Sequence, residues 1–238
     1  MPETPSRRVV LQLKRLLDVV LAACGLIVAS PLVLVLALAI RVSMGPPVLF
    51  RQERPGLGGR PFTLLKFRSM TLTTDSPDLA HDRDLVITRQ RITMVGYWMR
   101  KTSLDELPEL WNVLRGDMSL VGPRPLLMEY LPHYTAEQMR RQDVRPGVTG
   151  LALVRGRHSL DWDERFAYDT WYVDHWSLRL DARVVIDTLK VLLKLGGQSD
   201  FQAGSEPPRF YAVATGVAQT LPNGDQRARA THAAGEEE

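Results

Sequence analysis

A chain of 238 residues with 30 lysines and arginines against 27 acidic residues can form one domain of ordinary size, and its net charge of +3 is mildly basic. That charge suits phosphate-bearing ligands or an anionic membrane surface but is too small to indicate nucleic-acid binding, and the sequence carries no zinc-finger or helix-turn-helix pattern. The single cysteine, Cys24, excludes an internal disulfide and predicts a reducing, cytosolic setting for the folded part.

The first predicted element is an apolar segment, residues 19–40, which contains no charged side chain. A straight helix of this length would measure about 33 Å, enough to cross the hydrocarbon layer of a bilayer. Pro31 lies near the middle, where it removes a backbone hydrogen bond, and Ser30 can bond back to a carbonyl and favour a bend. Two interpretations remain open: a kinked helix that spans the membrane, and a re-entrant helix that enters one leaflet and returns.

Basic residues flank this segment on both sides, and they favour the re-entrant interpretation. Lysine and arginine prefer the cytoplasmic side of a membrane, so a spanning helix would violate that preference at one end. A cleaved signal peptide is disfavoured because its apolar stretch is shorter and ends in a small-residue cleavage site. The flanking residues are Arg7, Arg8, Lys14 and Arg15 before the segment and Arg41, Arg51 and Arg54 after it.

A β-hairpin is predicted next, because "VLFRQ" and "FTLLKF" are strand-like and "RPGLGGRP" between them is typical of a turn. Side chains alternate along a strand, so Lys66 and Arg68 are predicted to share one face. Two cations on one face are compatible with a solvated edge and equally with a phosphate-binding surface.

The rest of the chain is predicted to be mainly helical, which gives an α+β fold with a small β-hairpin or sheet. "ITMVGYWMRK" suits a short helix, and Pro108 suits the first turn of a helix through "ELWNVLRG" that ends near Gly116. Thr135 is the expected N-cap within "MEYLPHYTAEQMRRQ", and "VRPGVTGLALV" is predicted to be a loop and then a strand. The amphipathic "LDWDERFAYDTWYVDHWS" and "LRLDARVVIDTLKVLLKL" fit a membrane interface or ordinary core packing.

Two adjacent acids, Asp105 and Glu106, stand out in "SLDELPE". Ser103 and Glu106 match the S-x-x-E capping box, which would give Glu106 a purely structural role. Asp105 lies near a predicted helix N-terminus, where backbone amides also attract phosphate, and it is ionised at neutral pH. Such a carboxylate can attack phosphorus without a separate base, and a divalent cation would screen the repulsion between the two anions.

Basic residues near these acids complete a candidate phosphate site. Arg100 and Lys101 precede the acids by about one turn. "GPRP" holds Arg124 between two prolines, which restrict the direction in which its side chain leaves the backbone. Arg145 in "RPGVTG" lies beside glycines that allow a ligand to approach the backbone. Several arginines in restricted loops, beside paired acids, are stronger evidence of a site than any one of them.

Taken together, the motifs resemble the bacterial sugar transferase family, the monotopic phosphoglycosyl transferases. The resemblance extends over residues 14–194 and corresponds to the minimal catalytic domain of that family. The motifs that carry it are "KRLLDVVLA…SPL", "FRQERPG", "FTLLKFRSM", "RKTSLDELPELWNVLRGDMSLVGPRP", "RPGVTG" and "YDTWYVDHWSLRLD".

The resemblance implies an enzyme of the bacterial inner membrane, with its active site on the cytoplasmic face. It would move a sugar-1-phosphate from a UDP-sugar to undecaprenyl or another polyprenyl phosphate and release UMP, as the first membrane step of exopolysaccharide, O-antigen or glycoconjugate assembly. Asp105 would be the nucleophile that forms a covalent phospho-sugar intermediate, with Mg²⁺ bound beside it and Glu106 as its partner. Ser30 and Pro31 match the family's helix-breaking pair, which favours the re-entrant helix.

The resemblance also assigns the basic residues and the remaining partners. Arg100, Arg124 and Arg145 would bind the nucleotide and phosphates, with Lys66 and Arg68 as further contributors. The implied partners are the UDP-sugar, the polyprenyl phosphate, the lipid bilayer and downstream glycosyltransferases, without nucleic acid. The predicted organisation is a membrane helix over 1–45, a catalytic domain with interfacial helices over 46–200 and a polar, disordered tail over 201–238.

Two functions from other classes are alternatives. A non-catalytic scaffold that recruits later glycan enzymes would predict damaged acids or missing arginines, and the sequence has neither. A receptor or anchor would predict that the apolar helix crosses the membrane fully. The sugar itself is not indicated by any residue.

Overall fold

The computed structural model describes residues 5–71, 92–156 and 160–193. Its helices are α1 (Pro5–Met44), α2 (Met94–Thr102), α3 (Glu109–Arg115), α4 (Ala136–Met139), α5 (Leu151–Gly156), α6 (Trp162–His175) and α7 (Leu178–Leu192). Its strands are β1 (Leu49–Pro55), β2 (Pro61–Phe67), β3 (Ser119–Val121) and β4 (Gly147–Thr149). A mainly helical chain with small sheets is what the sequence predicted. The predicted tail, 201–238, lies outside the described residues.

Helix α1 is continuous over 40 residues, about 60 Å along its axis. The predicted break at Ser30 and Pro31 is therefore not an interruption of the helix. Proline at position 31 cannot donate to the carbonyl of Ile27, four residues earlier. The Ser30 hydroxyl donates to that same Ile27 carbonyl at 2.7 Å, so the acceptor that proline leaves unpaired still receives a hydrogen bond.

Two parts of α1 pack against the rest of the protein, and its other surface is exposed and apolar. Ala22 is fully buried in a cluster with Val113 and Met118, and Ile40 is fully buried against Phe67 and Met99. A helix whose apolar stretch is so largely exposed is unlike the core helix of a soluble domain. The exposed apolar side chains include Ile27, Val28, Leu34, Val35, Leu38 and Val42.

The predicted hairpin is confirmed. Strands β1 and β2 pair antiparallel, with Leu49 opposite Phe67 and Pro55 opposite Pro61. The connection contains Gly58 with φ 64°, a left-handed conformation that glycine adopts without steric cost. The sequence "RPGLGGRP" therefore determines the turn through its glycines.

A second, parallel pair of strands was not predicted. Ser119 of β3 lies opposite Gly147 of β4, and Val121 lies opposite Thr149. Gly147 is required here, because a Cβ at this position would lie 2.1 Å from the Gly122 amide nitrogen. The strand predicted within "VRPGVTGLALV" is confirmed only in part, because it covers Gly147–Thr149 and the following "LALV" begins α5.

Helices α5, α6 and α7 pack around this parallel pair. The cluster of buried side chains at its centre comprises Val121, Leu151, Val154, Tyr172, Leu180 and Val184. The predicted Thr135 N-cap is confirmed by its hydrogen bond from the Gln138 amide. The single helix predicted around Thr135 is wrong, because the segment divides into α4 between two 3₁₀ turns, Met128–His133 and Arg140–Asp143.

Candidate active site

The two adjacent acids lie in a 3₁₀ turn, Leu104–Glu106, between α2 and α3. Ser103 ends α2 in a left-handed conformation with φ 58°, which is uncommon for a residue other than glycine. Its side chain makes no capping hydrogen bond to this turn. The predicted capping box between Ser103 and Glu106 is therefore wrong, and Glu106 is available for other contacts. Helix α3 follows with Pro108 at its N-cap and Gly116 at its C-cap, close to the predicted bounds.

Glu106 is held between two cations. Its Oε1 accepts a hydrogen bond from the Lys66 Nζ at 2.9 Å and a second one from the Arg124 guanidinium. Burial raises the pKa of Glu106, but the charges of Arg124 and Lys66 outweigh burial and lower that pKa to about 2. Glu106 is consequently an anchored anion at neutral pH, unsuited to accepting a proton there.

Glu109 is a third acid of the site, and the sequence analysis missed it. Its Oε1 lies 3.1 Å from the Lys66 Nζ, so one lysine joins Glu106 and Glu109. The Glu109 side chain is 2 % exposed, and this burial raises its pKa to about 7 despite the nearby Lys66 charge. The spacing could have identified it, because residues three apart lie on one face of a helical segment.

Asp105 is partly buried and forms no ion pair with any residue that the structure describes. Burial raises the pKa of Asp105, and the charge of Glu106 raises it further, whereas Lys66 and Arg100 lower it. The exposed guanidinium of Arg100 at the end of α2 is therefore close enough to act on Asp105 electrostatically. Asp105 thus combines a carboxylate without an ion-pair partner among the described residues and two nearby cations, which suits a nucleophile for a phosphate ester.

Arg124 is the predicted arginine that binds one of the two adjacent acids directly. Burial lowers its pKa, but the charges of Glu106 and Glu109 raise it by more, so the guanidinium stays charged. About 40 % of its side chain remains exposed, which leaves donors accessible from solvent. Arg124 can thus bind Glu106 and an incoming anion simultaneously.

Arg68 is bound to backbone carbonyls near the end of α1, so its contacts give no support to the predicted phosphate-binding role, which stays a prediction. It directly follows strand β2, and its amide still donates to the Val48 carbonyl at 2.9 Å. The Arg68 guanidinium is buried at the end of α1, where it donates to the carbonyls of Met44 at 2.7 Å and Pro46 at 2.9 Å. Its role is to bind the last carbonyls of the membrane helix.

Arg145 lies at the other end of α3 from the acids. Its Nε donates to the Gly116 carbonyl at 2.9 Å, and Arg15 donates to the carbonyls of Val113 and Leu114 beside it. Helix α3 is about 10 Å long, so the structure does not bring Arg145 into the group of Lys66, Glu106 and Arg124. A role of Arg145 toward the nucleotide stays a prediction.

The donor set at Asp105 fits Mg²⁺ supported by substrate. Within residues 5–71, 92–156 and 160–193 there is no group of three or more acidic, histidine or cysteine residues that could hold a metal alone. Magnesium in phosphoryl-transfer sites takes one or two carboxylates and completes its shell with water and substrate phosphates. Asp105 can supply such a carboxylate, whereas Glu106 is occupied by Lys66 and Arg124.

We expect Glu109→Gln to stabilise the protein at pH 8 and much less at pH 5. A pKa raised to about 7 means that folding favours the protonated acid. Protonated Glu109 therefore stabilises the folded protein at low pH, and this stabilisation is lost as pH rises through 7. Above that pH the buried carboxylate is a cost, which glutamine removes. The thermal midpoint in detergent micelles should rise by about 2–5 °C at pH 8.

Glu137→Gln is the control for this prediction, because Glu137 is exposed and pairs with Arg140 on the surface. Its midpoint should change by a similar, small amount at both pH values. An equal shift of Glu109→Gln at pH 5 and pH 8 would contradict the assignment of Glu109 as the buried titrating acid.

Comparison with known proteins identifies the family. Residues 9–195 match the family model described as bacterial sugar transferase. The chain is 49 % identical to the uncharacterized sugar transferase EpsL of Bacillus subtilis (strain 168), over 78 % of this chain and 90 % of that protein. It is 46 % identical to the UDP-glucose:undecaprenyl-phosphate glucose-1-phosphate transferase of Caulobacter vibrioides, over 81 % of this chain and 74 % of that protein.

A third relative is the undecaprenyl-phosphate galactose phosphotransferase of Salmonella typhimurium, 41 % identical over 78 % of this chain and 41 % of that longer protein. The matched region contains α1, both sheets and the acids with their cations. On the length of the match and these identities, the chain belongs to the bacterial sugar transferase family.

Proposed function

We propose that the chain transfers a sugar-1-phosphate from a UDP-sugar to undecaprenyl phosphate or another polyprenyl phosphate and releases UMP. The observation that carries this proposal is Asp105, without an ion-pair partner among the described residues, beside Glu106 that Lys66 and Arg124 hold. The names of the Caulobacter and Salmonella relatives support the same reaction class. In this role the protein would supply lipid-linked sugar to downstream glycosyltransferases.

The proposed reaction has two displacements at one phosphorus. An Asp105 carboxylate oxygen attacks the phosphorus that bears the sugar, the bond to the UMP oxygen breaks, and UMP leaves. An oxygen of the polyprenyl phosphate then attacks the same phosphorus and releases the Asp105 carboxylate. This ping-pong scheme splits one difficult transfer into two steps that use the same phosphate-binding cations.

Each basic residue has a defined part in this scheme. Arg124, with exposed donors, binds an oxygen of the transferring phosphate, and Arg100 attracts the dianionic donor toward Asp105. Glu106 keeps Lys66 and Arg124 in place and does not transfer a proton, because its pKa is about 2. Mg²⁺ bound at Asp105 would screen the repulsion between the carboxylate and the donor phosphates.

We further propose that α1 is re-entrant, with both of its ends on the cytoplasmic side of the bacterial inner membrane. Near its start, Lys14 pairs with Asp181 at 2.6 Å and Asp18 accepts from the Ser119 hydroxyl at 2.8 Å. Its last carbonyls bind Arg68. Contacts of both ends with one folded body support re-entry, because a spanning helix places its ends about 30 Å apart on opposite sides.

The same orientation gives α7 a place at the membrane interface. Leu180 and Val184 face the core, whereas the apolar side chains of Ile186, Leu189 and Leu192 are exposed. A helix with a second, exposed apolar face beside a membrane helix suits the boundary between headgroups and acyl chains. The polyprenyl phosphate is confined to the bilayer, so an active site at that depth can reach its phosphate.

Accessibility of tags at both termini tests the re-entrant helix. With cells expressing an N-terminal and a C-terminal epitope, we expect antibody or protease to reach both tags only after the inner membrane is permeabilised. A tag at one terminus that is accessible in intact spheroplasts, with the other protected, would contradict re-entry and favour the spanning helix.

Release of UMP tests the reaction itself. The purified protein, with Mg²⁺ and undecaprenyl phosphate in detergent micelles, should release UMP from at least one of UDP-glucose, UDP-galactose and UDP-N-acetylgalactosamine, and the sugar phosphate should appear in the lipid fraction. The Caulobacter relative is the positive control. Transfer of sugar with release of UDP in place of UMP would contradict the proposed reaction.

A further inference from the structure

The backbone that carries Arg124 is held by three separate elements. Residues 123 and 125 are prolines and have no N–H, so the carbonyls of this segment are its main hydrogen-bonding groups. Three consecutive carbonyls accept hydrogen bonds: Pro123 from the Gly147 amide at 2.9 Å, Arg124 from the Arg141 guanidinium at 2.7 Å, and Pro125 from the Arg54 guanidinium at 3.4 Å.

Arg141, the donor to the Arg124 carbonyl, belongs to a buried ion pair. Its terminal nitrogen lies 2.6 Å from the Asp169 carboxylate of α6, and the two side chains are 1 % and 4 % exposed. The other terminal nitrogen donates to the Tyr134 hydroxyl at 3.0 Å, and the guanidinium lies 5.4 Å from the centre of the Phe166 ring. Burying two charges costs free energy that a pair of packed apolar side chains would not.

We propose that the Arg141–Asp169 pair is a positioning element for Arg124, holding the backbone from which the Arg124 guanidinium reaches Glu106. The path is continuous: Asp169 orients Arg141, Arg141 binds the Arg124 carbonyl, and the Arg124 side chain binds Glu106. One terminal nitrogen of Arg141 donates to both the Asp169 carboxylate and the Arg124 carbonyl, while the other donates to Tyr134. The planar guanidinium therefore serves all three partners in one fixed orientation, which the single nitrogen of a lysine cannot reproduce. This inference rests on the proposed function.

A purely structural ion pair would predict a different outcome from a positioning pair. A structural pair lowers the stability of the whole domain when it is broken, and its effect on activity is independent of Arg124. A positioning pair acts on activity through Arg124, so its effect disappears once Arg124 itself is changed. A double-mutant cycle on kcat/KM separates the two.

Arg141→Lys is the test variant, because lysine keeps the charge opposite Asp169 but has one nitrogen, on a shorter side chain, in place of the two that bind Asp169, Tyr134 and the Arg124 carbonyl. We expect kcat/KM for UMP release to fall about 10-fold, as for loss of one charge-assisted hydrogen bond. In a protein that already carries Arg124→Lys, adding Arg141→Lys should change kcat/KM less than two-fold. These values are measured in single-turnover reactions followed over hours. Equal fold-losses in both backgrounds would overturn the inference.

Arg140→Gln is the matched control. Arg140 is the neighbouring residue, and it pairs with Glu137 and Asp174 at the surface without contacting the Arg124 carbonyl. We expect kcat/KM within two-fold of the wild type. If Arg141→Lys does not fold, Tyr134→Phe removes only the hydroxyl that Arg141 binds and should give a smaller loss, about three-fold, with the same dependence on Arg124.

Hydrogen exchange provides a readout that does not depend on activity. Arg141→Lys should increase deuterium uptake in the peptide that covers residues 118–128, whereas Arg140→Gln should not. Unchanged uptake would overturn the positioning role even in a fully active enzyme. Absence of UMP release by the wild-type protein would instead overturn the proposed function, so the two failures are distinguishable.

Discussion

Asp105→Asn is expected to lower UMP release by about 10⁴-fold or more, the loss typical of removing a catalytic nucleophile. Asparagine keeps the shape of the side chain but has no carboxylate oxygen to form the bond to phosphorus. The measurement is UMP release with UDP-sugar, undecaprenyl phosphate and Mg²⁺ under identical conditions for variant and wild type.

The same variant should not lose stability. Burial raises the pKa of Asp105, so the ionised carboxylate is a cost to the folded protein at neutral pH, and this cost disappears with a neutral side chain. We therefore expect a thermal midpoint equal to or above that of the wild type.

Asp163→Asn, at an exposed position in the first turn of α6, is the control and should retain full activity. Activity of Asp105→Asn within 10-fold of the wild type would contradict its role.

Glu106→Gln is expected to lower UMP release by about 100-fold. Glutamine removes the anion that joins Lys66 and Arg124, so Arg124 loses its carboxylate partner and Lys66 keeps only Glu109. A pKa lowered to about 2 also means that ionised Glu106 stabilises the fold above its ordinary pKa, and that this contribution is lost as pH falls toward 2. Stability should therefore also be lost at pH 7, and this loss should become smaller as pH falls toward 2.

Glu109→Gln is the matched control for this experiment, because Glu109 binds the same lysine nitrogen. We expect it to change UMP release at pH 7 by less than about five-fold, since Glu106 alone can hold Lys66. If Glu109→Gln lowered UMP release as much as Glu106→Gln does, the reaction would depend on the position of Lys66, and a specific role of the Glu106 carboxylate would be contradicted.

Local patterns in the sequence predicted much of this fold. The hairpin followed from alternating side chains around a glycine-rich turn, and the bounds of α3 followed from Pro108 and Gly116. Thr135 was identified as an N-cap from its side chain alone. In each case the residues that determine the structure lie within a few positions of one another.

Features that depend on distant parts of the chain were not predicted. The parallel pairing of β3 with β4 joins segments about 28 residues apart, and each strand has only three residues. The partners of Arg68 were not predicted either, because they are carbonyls at and just after the end of α1, more than 20 residues earlier. No local pattern shows that a helix end lies beside that arginine.

For the candidate site, too, some features could be predicted from local sequence and others depend on distant parts of the chain. Asp105 and Glu106 were identified from their motif, but the capping box was an equally good local interpretation until Ser103 was found to end α2 in a left-handed conformation. The link from Lys66 to Glu106 and Glu109 joins a strand to a turn 40 residues away. The motif located the candidate nucleophile, and only the fold shows how the neighbouring Glu106 is held.

The covalent intermediate is the most direct test of the account. Wild-type protein incubated with its UDP-sugar and Mg²⁺, without any lipid, should release UMP in proportion to enzyme and add the mass of the sugar phosphate to the peptide that contains Asp105. Addition of undecaprenyl phosphate should then remove that mass and yield the lipid-linked product. An enzyme that turns over normally with lipid, yet neither releases UMP nor acquires this mass in its absence, would contradict a covalent role for Asp105.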